Sequence, residues 1–214
     1  MNGTAPLQDI SEEELSLRHA ALKQIKDDLL TNTATPLWEY RKANNFHPVI
    51  GEGSHAAKIM FVGEAPGENE AKQGRPFCGA AGKFLDVLLE HLKLDRKQVY
   101  ITNIVKDRPP NNRDPLPQEI AFYSGYLDKQ IEIIKPTCVV TLGRFSMGYL
   151  LPKCGLESEL TAISKLHGKC FNGVFGDQSL SIVTLYHPAV ALYNGSMRQV
   201  LLKDAEVLLT LLSS

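Results

Sequence analysis

The sequence has no apolar run that approaches the length of about 18 residues needed for a membrane-spanning helix. Its first six residues and the acidic stretch that follows them are typical of neither a signal peptide nor a transit peptide. These two absences predict a cytoplasmic protein with no membrane partner.

Cysteine is scarce, and its spacing does not match a metal site. Cys78, Cys138, Cys154 and Cys170 are scattered, and no two of them form a Cys-x-x-Cys pair. In a cytosolic chain such thiols are expected to be reduced and to pack as small hydrophobic side chains.

An excess of positive charge is also missing, because 23 Lys and Arg residues stand against 24 Asp and Glu residues, with a net charge of −1. Proteins that bind duplex DNA usually carry a basic excess, since neutralised phosphates supply much of their affinity. Composition therefore argues mildly against DNA unless the cations cluster on one face. The cations in predicted loops that could form such a face are Arg108, Arg113, Arg144, Lys165 and Lys169.

The length of 214 residues and the hydrophobic share of 43% are enough for one well-buried core. A single domain over residues 1–214 is therefore the expectation. Ser11 followed by Glu14 has the spacing of a capping box, and apolar residues recur at helical spacing behind it. This pattern predicts an N-terminal helical extension at about residues 9–31, and residues 37–57 are expected to be irregular.

A regular alternation of strands and helices follows. Apolar runs at about 58–62, 99–102, 138–142 and 181–185 predict strands, and helical patterns follow at about 81–92, 117–134, 145–151 and 198–212. Strands that alternate with helices and are apolar throughout predict a mostly parallel sheet covered on both faces. A short hairpin is expected within residues 163–175.

Polar residues follow each predicted strand at its carboxyl end. Glu64, Asn103, Arg144 and His187 stand at these four positions. Parallel strands bring their carboxyl ends to one edge of the sheet, where ligands of open α/β folds bind. The pattern therefore favours a ligand cleft or active site over four unrelated structural residues.

A glycine- and proline-rich loop after the first strand, Gly63 to Gly67, could merely turn the chain. It lacks both the lysine of a phosphate-binding loop and the spacing of a dinucleotide fingerprint. Phe77 stands between turn-forming residues farther on, where its ring could stack on a base or pack under its own loop.

Five motifs make the pattern specific: GEAPGENEA, GRPFCGAAG, VYITNIVKDRPPNNRDPLP, TLGR and YHPAVAL, in this order between Gly51 and Leu192. Together they resemble the family-4 uracil-DNA glycosylases, best known from thermophiles and archaea. The resemblance implies an α/β fold, a three-layer αβα sandwich around a central four-stranded parallel sheet. It also implies hydrolysis of the N-glycosidic bond of uracil that has flipped out of DNA, as in base excision repair.

The resemblance implies roles in base recognition for several residues. Phe77 would stack on the uracil ring, and Asn103 would hydrogen-bond its polar edge. Backbone amides around Glu64 and Ala65 would hold a uracil carbonyl, and His187 would donate to the O2 oxygen as the bond breaks. Read without the resemblance, His187 and Asn103 could instead be turn residues, and the glutamates a solvated loop.

The resemblance also implies the remaining catalytic and DNA contacts. Glu70, or else Glu64, would orient the attacking water or stabilise the cationic sugar. The stretch 189–192, with Leu192, would carry the wedge that fills the vacated stack. Further contacts to DNA are expected from Arg108, Arg113, Arg144 and Lys165.

The family's iron–sulfur cluster has no counterpart among the cysteines. Family-4 enzymes usually bind a four-iron–four-sulfur cluster with a Cys-x-x-Cys near the N-terminus, a cysteine before Arg-Pro-Pro and a cysteine in the next helix. Counted without gaps, these positions fall at about Pro36, Glu39, Asp107 and Tyr123. The sequence therefore predicts no cluster and no other cofactor, so that packing by side chains such as Trp38 must hold the N-terminal segment.

The leading interpretation is a monofunctional glycosylase with no covalent lysine intermediate, which needs only a monomer. The alternative is a cluster-less relative that binds DNA or a nucleobase with weak or no turnover; the missing cysteines favour it, and the retained Phe77, Asn103 and His187 oppose it. A phosphate-binding α/β enzyme with Arg75 and Arg144 as ligands is a third interpretation, but it leaves Phe77 without a function.

Overall fold

The structure, a computed structural model, describes residues 7–212. The first six residues, whose sequence is typical of neither a signal peptide nor a transit peptide, lie outside this range, as do residues 213–214. Within it, no helix is long and apolar enough to cross a membrane.

Helices make up most of the regular structure. They are α1 (Glu12–Thr31), α2 (Trp38–Ala43), α3 (Glu68–Gln73), α4 (Ala80–His91), α5 (Pro117–Ile134), α6 (Arg144–Lys153), α7 (Ile163–Leu166), α8 (Val190–Tyr193), α9 (Gly195–Ala205) and α10 (Val207–Leu212). The strands are β1 (Glu52–Gly53), β2 (Ile59–Gly63), β3 (Tyr100–Asn103), β4 (Cys138–Leu142), β5 (Lys169–Phe175) and β6 (Gln178–Leu185).

The strands form one sheet in the order β1-β3-β2-β4-β6-β5. The four inner strands are parallel, which confirms the predicted α/β class and its parallel core. The sheet is nevertheless mixed and six-stranded, because β1 and β5 pair antiparallel at its two edges. The two-residue β1 lay in the stretch expected to be irregular. The hairpin expected within residues 163–175 is not formed there, because this stretch holds α7 and the single strand β5, which pairs with β6.

Alternate residues of the inner strands point to opposite helical layers, because side chains in a strand change face at each residue. Met60 and Val139 pack on the layer of α1, α5 and α6. Phe61 and Val140 pack on the layer of α4, α9 and α10. Both faces of the sheet are therefore covered, as in the three-layer sandwich that the resemblance implied.

The N-terminal helix α1 is fastened to the core by polar contacts as well as by packing. The Ser11 side chain accepts from the Glu14 amide, as the capping box predicted. The Glu14 carboxylate does not return to the cap but accepts from Arg18 at 2.7 Å. Arg18 also donates to the carbonyl oxygen of Ile134 at the end of α5, at 2.6 Å.

Candidate active site

A cavity of about 330 Å³ lies at the carboxyl end of the parallel strands. Its lining includes Glu64 after β2, Asn103 at the end of β3 and His187 after β6. Gly63 and Asn103 are register partners, so the pairing of β2 and β3 itself brings two of these motifs together. The fourth strand-end residue, Arg144, does not line the cavity. Its positive charge is near enough to oppose partly the rise in the pKa of Glu64 that burial causes.

Phe77 forms one wall of this cavity. Its φ of 48° lies in the left-handed region that residues with a Cβ rarely adopt, so the surrounding chain must hold it there. Arg96 Nη2 donates to the Pro76 carbonyl at 2.8 Å, and a Cβ at Gly82 would overlap the Phe77 carbonyl. The ring centroid of Phe77 lies 5.7 Å from that of His187, with 31° between the planes.

Asn103 presents an unsatisfied acceptor. Its side chain is 1% exposed, and its Oδ1 atom has no hydrogen-bond partner among the described residues. Buried polar atoms are rarely left unpaired in a folded chain, so this oxygen indicates a donor on a ligand. Gly63 leaves the room for such a ligand, since a Cβ there would overlap Asn103 Oδ1 and lie 2.6 Å from a ring atom of Phe77.

His187 is held as a neutral donor. Burial lowers the pKa of His187 to about 4, although the nearby Glu70 carboxylate opposes the shift. The Ala189 amide donates to Nδ1 at 3.2 Å, so Nδ1 carries no proton. The proton of the neutral imidazole is therefore on Nε2, which is free to donate to a ligand.

The two glutamates of the cavity lie in different surroundings. Burial, together with the negative charge of Asp114, raises the pKa of Glu64 to about 7. Glu70 Oε1 instead accepts from the Gly79 amide at 2.6 Å. This bond fixes the position of the Glu70 side chain at the cavity.

Lys106 is a buried residue that sequence reasoning missed. Its ammonium group is fully enclosed and donates to the Asn103 carbonyl at 2.6 Å, to Gln130 Oε1 at 2.5 Å and to Thr102 Oγ1 at 2.8 Å. Burial lowers the pKa of Lys106 well below its ordinary value. Lys106 therefore fixes the backbone at the end of β3, and its position three residues after Asn103 was the only signal.

The cations expected to contact DNA lie in different surroundings. Arg113 lines the cavity and is paired with Glu119, with N–O distances of 2.9 and 2.6 Å. Arg144 is exposed and paired with Asp114. Lys165 is exposed on the short helix α7.

Arg108 and Leu192 fit the expected DNA contacts less well. Arg108 is buried, donates to Asn112 at 2.7 Å and to Glu68 at 3.1 Å, and lies over the Phe46 ring, so a phosphate would have to displace these partners. Leu192 is half exposed on α8, but its neighbour Tyr193 is 89% exposed and lines the cavity. Of these two neighbours, therefore, Tyr193 and not Leu192 lies at the cavity.

The residues at the expected cluster positions do not fit an iron–sulfur cluster. Asp107 and Tyr123 are in contact, with the Tyr123 hydroxyl donating to Asp107 at 2.6 Å, whereas Pro36 and Glu39 are exposed. Asp107 is also paired with Arg41 at 2.9 Å. A cluster needs thiolate ligands, and this group offers a phenol and a carboxylate that is already bound.

Comparison with known proteins identifies the family of the chain. Residues 50–208 match the family model of the uracil DNA glycosylase superfamily. The chain is 48% identical to a type-4 uracil-DNA glycosylase of Sulfurisphaera tokodaii over 86% of this chain and 81% of the relative. The corresponding values are 45%, 90% and 87% for the type-4 enzyme of Saccharolobus solfataricus, and 42%, 75% and 78% for that of Archaeoglobus fulgidus.

An α/β fold with helices on both faces of its sheet and a polar cavity at its strand ends defines the class of the protein as a three-layer sandwich. The chain belongs to the uracil DNA glycosylase superfamily, with type-4 enzymes among its relatives. The resemblance read from the five motifs is thereby confirmed.

Proposed function

We propose that this chain is a monofunctional uracil-DNA glycosylase that hydrolyses the N-glycosidic bond of uracil flipped out of DNA, in base excision repair. The single observation that carries the proposal is the unpartnered Oδ1 of Asn103, which lies in a cavity walled by Phe77 and His187. Uracil is a flat ring with an imide N–H between two carbonyls, and each of its features has a counterpart there.

Recognition follows from these three groups. Asn103 Oδ1 accepts the imide N–H, and the amide nitrogen of the same side chain is available to a carbonyl. Phe77 stacks on the ring, a contact worth roughly 1–3 kcal/mol per base. The backbone amides of Glu64 and Ala65 hold a uracil oxygen. Their turn is fixed because the amides of Ile104 and Val105 donate to the carbonyl oxygens of Gly63 and Glu64.

Bond cleavage places negative charge on the leaving base. As the bond from C1′ to N1 breaks, charge grows on the O2 oxygen, and the neutral His187 donates to it through Nε2. Because the pKa of His187 is about 4, this donor does not change its charge near neutral pH. A positioned donor of this kind stabilises the transition state more than the ground state.

Glu70 completes the hydrolysis. Its carboxylate orients a water molecule towards C1′, takes up a proton as the C–O bond forms, and stabilises the cationic sugar. Glu64 is the poorer choice, because a pKa of about 7 leaves it largely protonated below neutral pH.

A lysine nucleophile is not required. None of the described residues that line the cavity is a lysine, and Lys106 Nζ is enclosed by Thr102, Asn103 and Gln130. Water attack would leave an abasic site and free uracil, and an enzyme that forms no imine with the sugar would not cut the strand itself.

The experiment is excision from a labelled oligonucleotide that contains one uracil. We expect strand scission only after alkali, release of free uracil, and no covalent adduct when borohydride is added. Absence of cleavage on uracil, hypoxanthine and xanthine would sink the enzymatic proposal, and scission without alkali would refute the monofunctional one.

DNA binding by a near-neutral chain requires local cations, and Arg113 at the cavity with exposed Arg144 are the proposed contacts. Tyr193 is proposed as the wedge, since its ring can fill the gap that the extruded base leaves. We expect a monomer, because all the proposed site residues come from one chain, and light scattering of the purified protein in solution tests the oligomeric state. A cytoplasmic location also remains our expectation.

A further inference from the structure

A buried polar network joins the N-terminal segment to the core. Arg41 on α2, which is 5% exposed, donates through Nη1 to both carboxylate oxygens of Asp107 at 2.9 Å. Its Nη2 donates to the Leu29 carbonyl of α1 at 3.0 Å. Tyr123 on α5 completes the network, and burial and the charge of Asp107 raise the pKa of Tyr123, so that its hydroxyl remains a donor.

The network occupies the place where related enzymes would carry cluster ligands. Asp107 stands before Arg-Pro-Pro and Tyr123 in the following helix, and their direct contact shows that these two positions converge. The buried Thr35 lies beside both side chains and lowers the pKa of each, although its hydroxyl completes no ordinary hydrogen bond within residues 7–212.

The two remaining ligand positions are better assigned to Asn32 and Thr35 than to Pro36 and Glu39. Asn32 and Thr35 have the spacing of Cys-x-x-Cys, and Asn32 donates to the Tyr126 hydroxyl on the neighbouring turn of α5 at 3.3 Å. Pro36 and Glu39 are both exposed, which makes them the poorer candidates for this pair.

We infer that the network of Arg41, Asp107 and Tyr123 replaces the iron–sulfur cluster as the fastening of the N-terminal segment, so that this chain folds without iron. The physical reason is that both devices link the same three parts of the chain: the segment after α1, the loop after β3 and α5. A bound carboxylate takes the place of a thiolate, and a guanidinium that spans from Asp107 to α1 supplies the cross-link.

The first test is the iron content of the full chain, expressed with abundant iron and purified without oxygen. We expect iron far below one cluster per chain, no visible absorption of a cluster, and a Tm that does not change with a chelator. A stoichiometric cluster would overturn the inference directly.

The second test measures the fastening by thermal unfolding and by limited proteolysis of residues 7–45. Arg41→Met leaves the Asp107 carboxylate buried without its partner, and we expect Tm to fall by about 10 °C and cleavage in this segment to accelerate. Tyr123→Phe, which removes only a hydroxyl, should lower Tm by a few degrees and covers the case in which Arg41→Met does not fold. Lys23→Ala, which removes an exposed pair with Asp27, is the control and should change little.

An unchanged Tm in both network variants would overturn the inference. The Tm of the double variant Arg41→Met/Asp107→Leu should fall by less than the summed losses of the single variants Arg41→Met and Asp107→Leu, because the double variant removes the ion pair as a unit. Additive losses would mean that the two residues act separately.

A third test grafts the cluster ligands. N32C/T35C/D107C/Y123C should bind a cluster on anaerobic reconstitution, and P36C/E39C/D107C/Y123C is the matched control. If the first variant takes up no more cluster than the second, the assignment of Asn32 and Thr35 to the ligand positions is wrong. None of these readouts is uracil excision, so they stand apart from the proposed function.

Discussion

At the scale of single residues, the decisive feature is a buried amide that keeps one oxygen unpaired. Asn103 Oδ1 has no partner among residues 7–212, although its side chain is almost fully enclosed. Leaving such an atom unsatisfied costs roughly 1–3 kcal/mol. A ligand that donates to this oxygen would recover the cost, and under the proposed function this favours a base that carries a donor at that position.

Asn103→Ala tests this residue. The variant loses the partner of the uracil imide, and we expect kcat/KM for excision to fall by about 100-fold, corresponding to about 3 kcal/mol. The measurement is single-turnover cleavage of a uracil oligonucleotide, with Tm as the control for folding. A variant that keeps wild-type excision would remove Asn103 from base recognition.

The raised pKa of Glu64 should make the stability of the protein depend on pH. Its pKa rises from an ordinary value of 4.5 to about 7 in the folded chain. The folded state therefore holds a proton that the unfolded state has lost between these values, and the free energy of unfolding falls as pH rises through this window. The Glu64→Gln side chain stays neutral at every pH. In this variant the free energy of unfolding should therefore not show the fall of about 1–2 kcal/mol that we expect for the wild type, allowing for solvent screening.

Urea unfolding of both proteins at about pH 5 and about pH 8 measures the difference. Glu13→Gln, on the exposed side of α1, is the control. Parallel pH profiles of wild type and Glu64→Gln would show that Glu64 titrates normally.

At the scale of elements, the turn that carries Phe77 depends on the start of α4. Gly82 lies in the first turn of this helix, where a Cβ would overlap the Phe77 carbonyl. Gly82→Ala should therefore displace the ring and lower excision by more than about tenfold, since stacking is worth roughly 1–3 kcal/mol.

Gly125→Ala in α5 is the matched control, because a Cβ there meets nothing within 4 Å. It should leave excision unchanged and stabilise the helix by up to about 1 kcal/mol. Similar activity in the two variants would mean that the Phe77 turn tolerates displacement.

The short helix α8 presents Tyr193 at the mouth of the cavity. If the ring fills the vacated stack, Tyr193→Ala should slow excision from duplex DNA by about tenfold and change excision from a single strand much less. Leu192→Ala is the control on the same helix. Equal losses on both substrates would assign Tyr193 to the pocket rather than to the stack.

At the scale of the whole molecule, the net charge of −1 makes DNA binding depend on few cations. Arg113→Ala should weaken binding modestly for all sequences and reduce the slope of log affinity against log salt by about one. Affinity measured at several salt concentrations, with Lys23→Ala for comparison, tests this. An unchanged slope would place Arg113 outside the DNA contact and leave it as the partner of Glu119.

The order of elements and the location of the site could be read from the chain. The inner strands are mostly apolar because both of their faces are covered, and this local pattern marked their ends to within three residues. Parallel pairing then brings strand ends together, so the sequence alone places Asn103 and His187 at one edge of the sheet. The edge strand β1 escaped prediction because two residues with a glycine carry no periodicity.

The sequence by itself determined the fold class, the family and the lack of cysteines at the expected cluster positions, because each is written in residue types at fixed spacing. Only the tertiary structure decided that burial raises the pKa of Glu64, which tautomer His187 adopts, that Lys106 supports the end of β3, and that Arg41 reaches Asp107 across 66 positions. These properties depend on burial and on distances between atoms that are remote in the chain, and no local pattern encodes them.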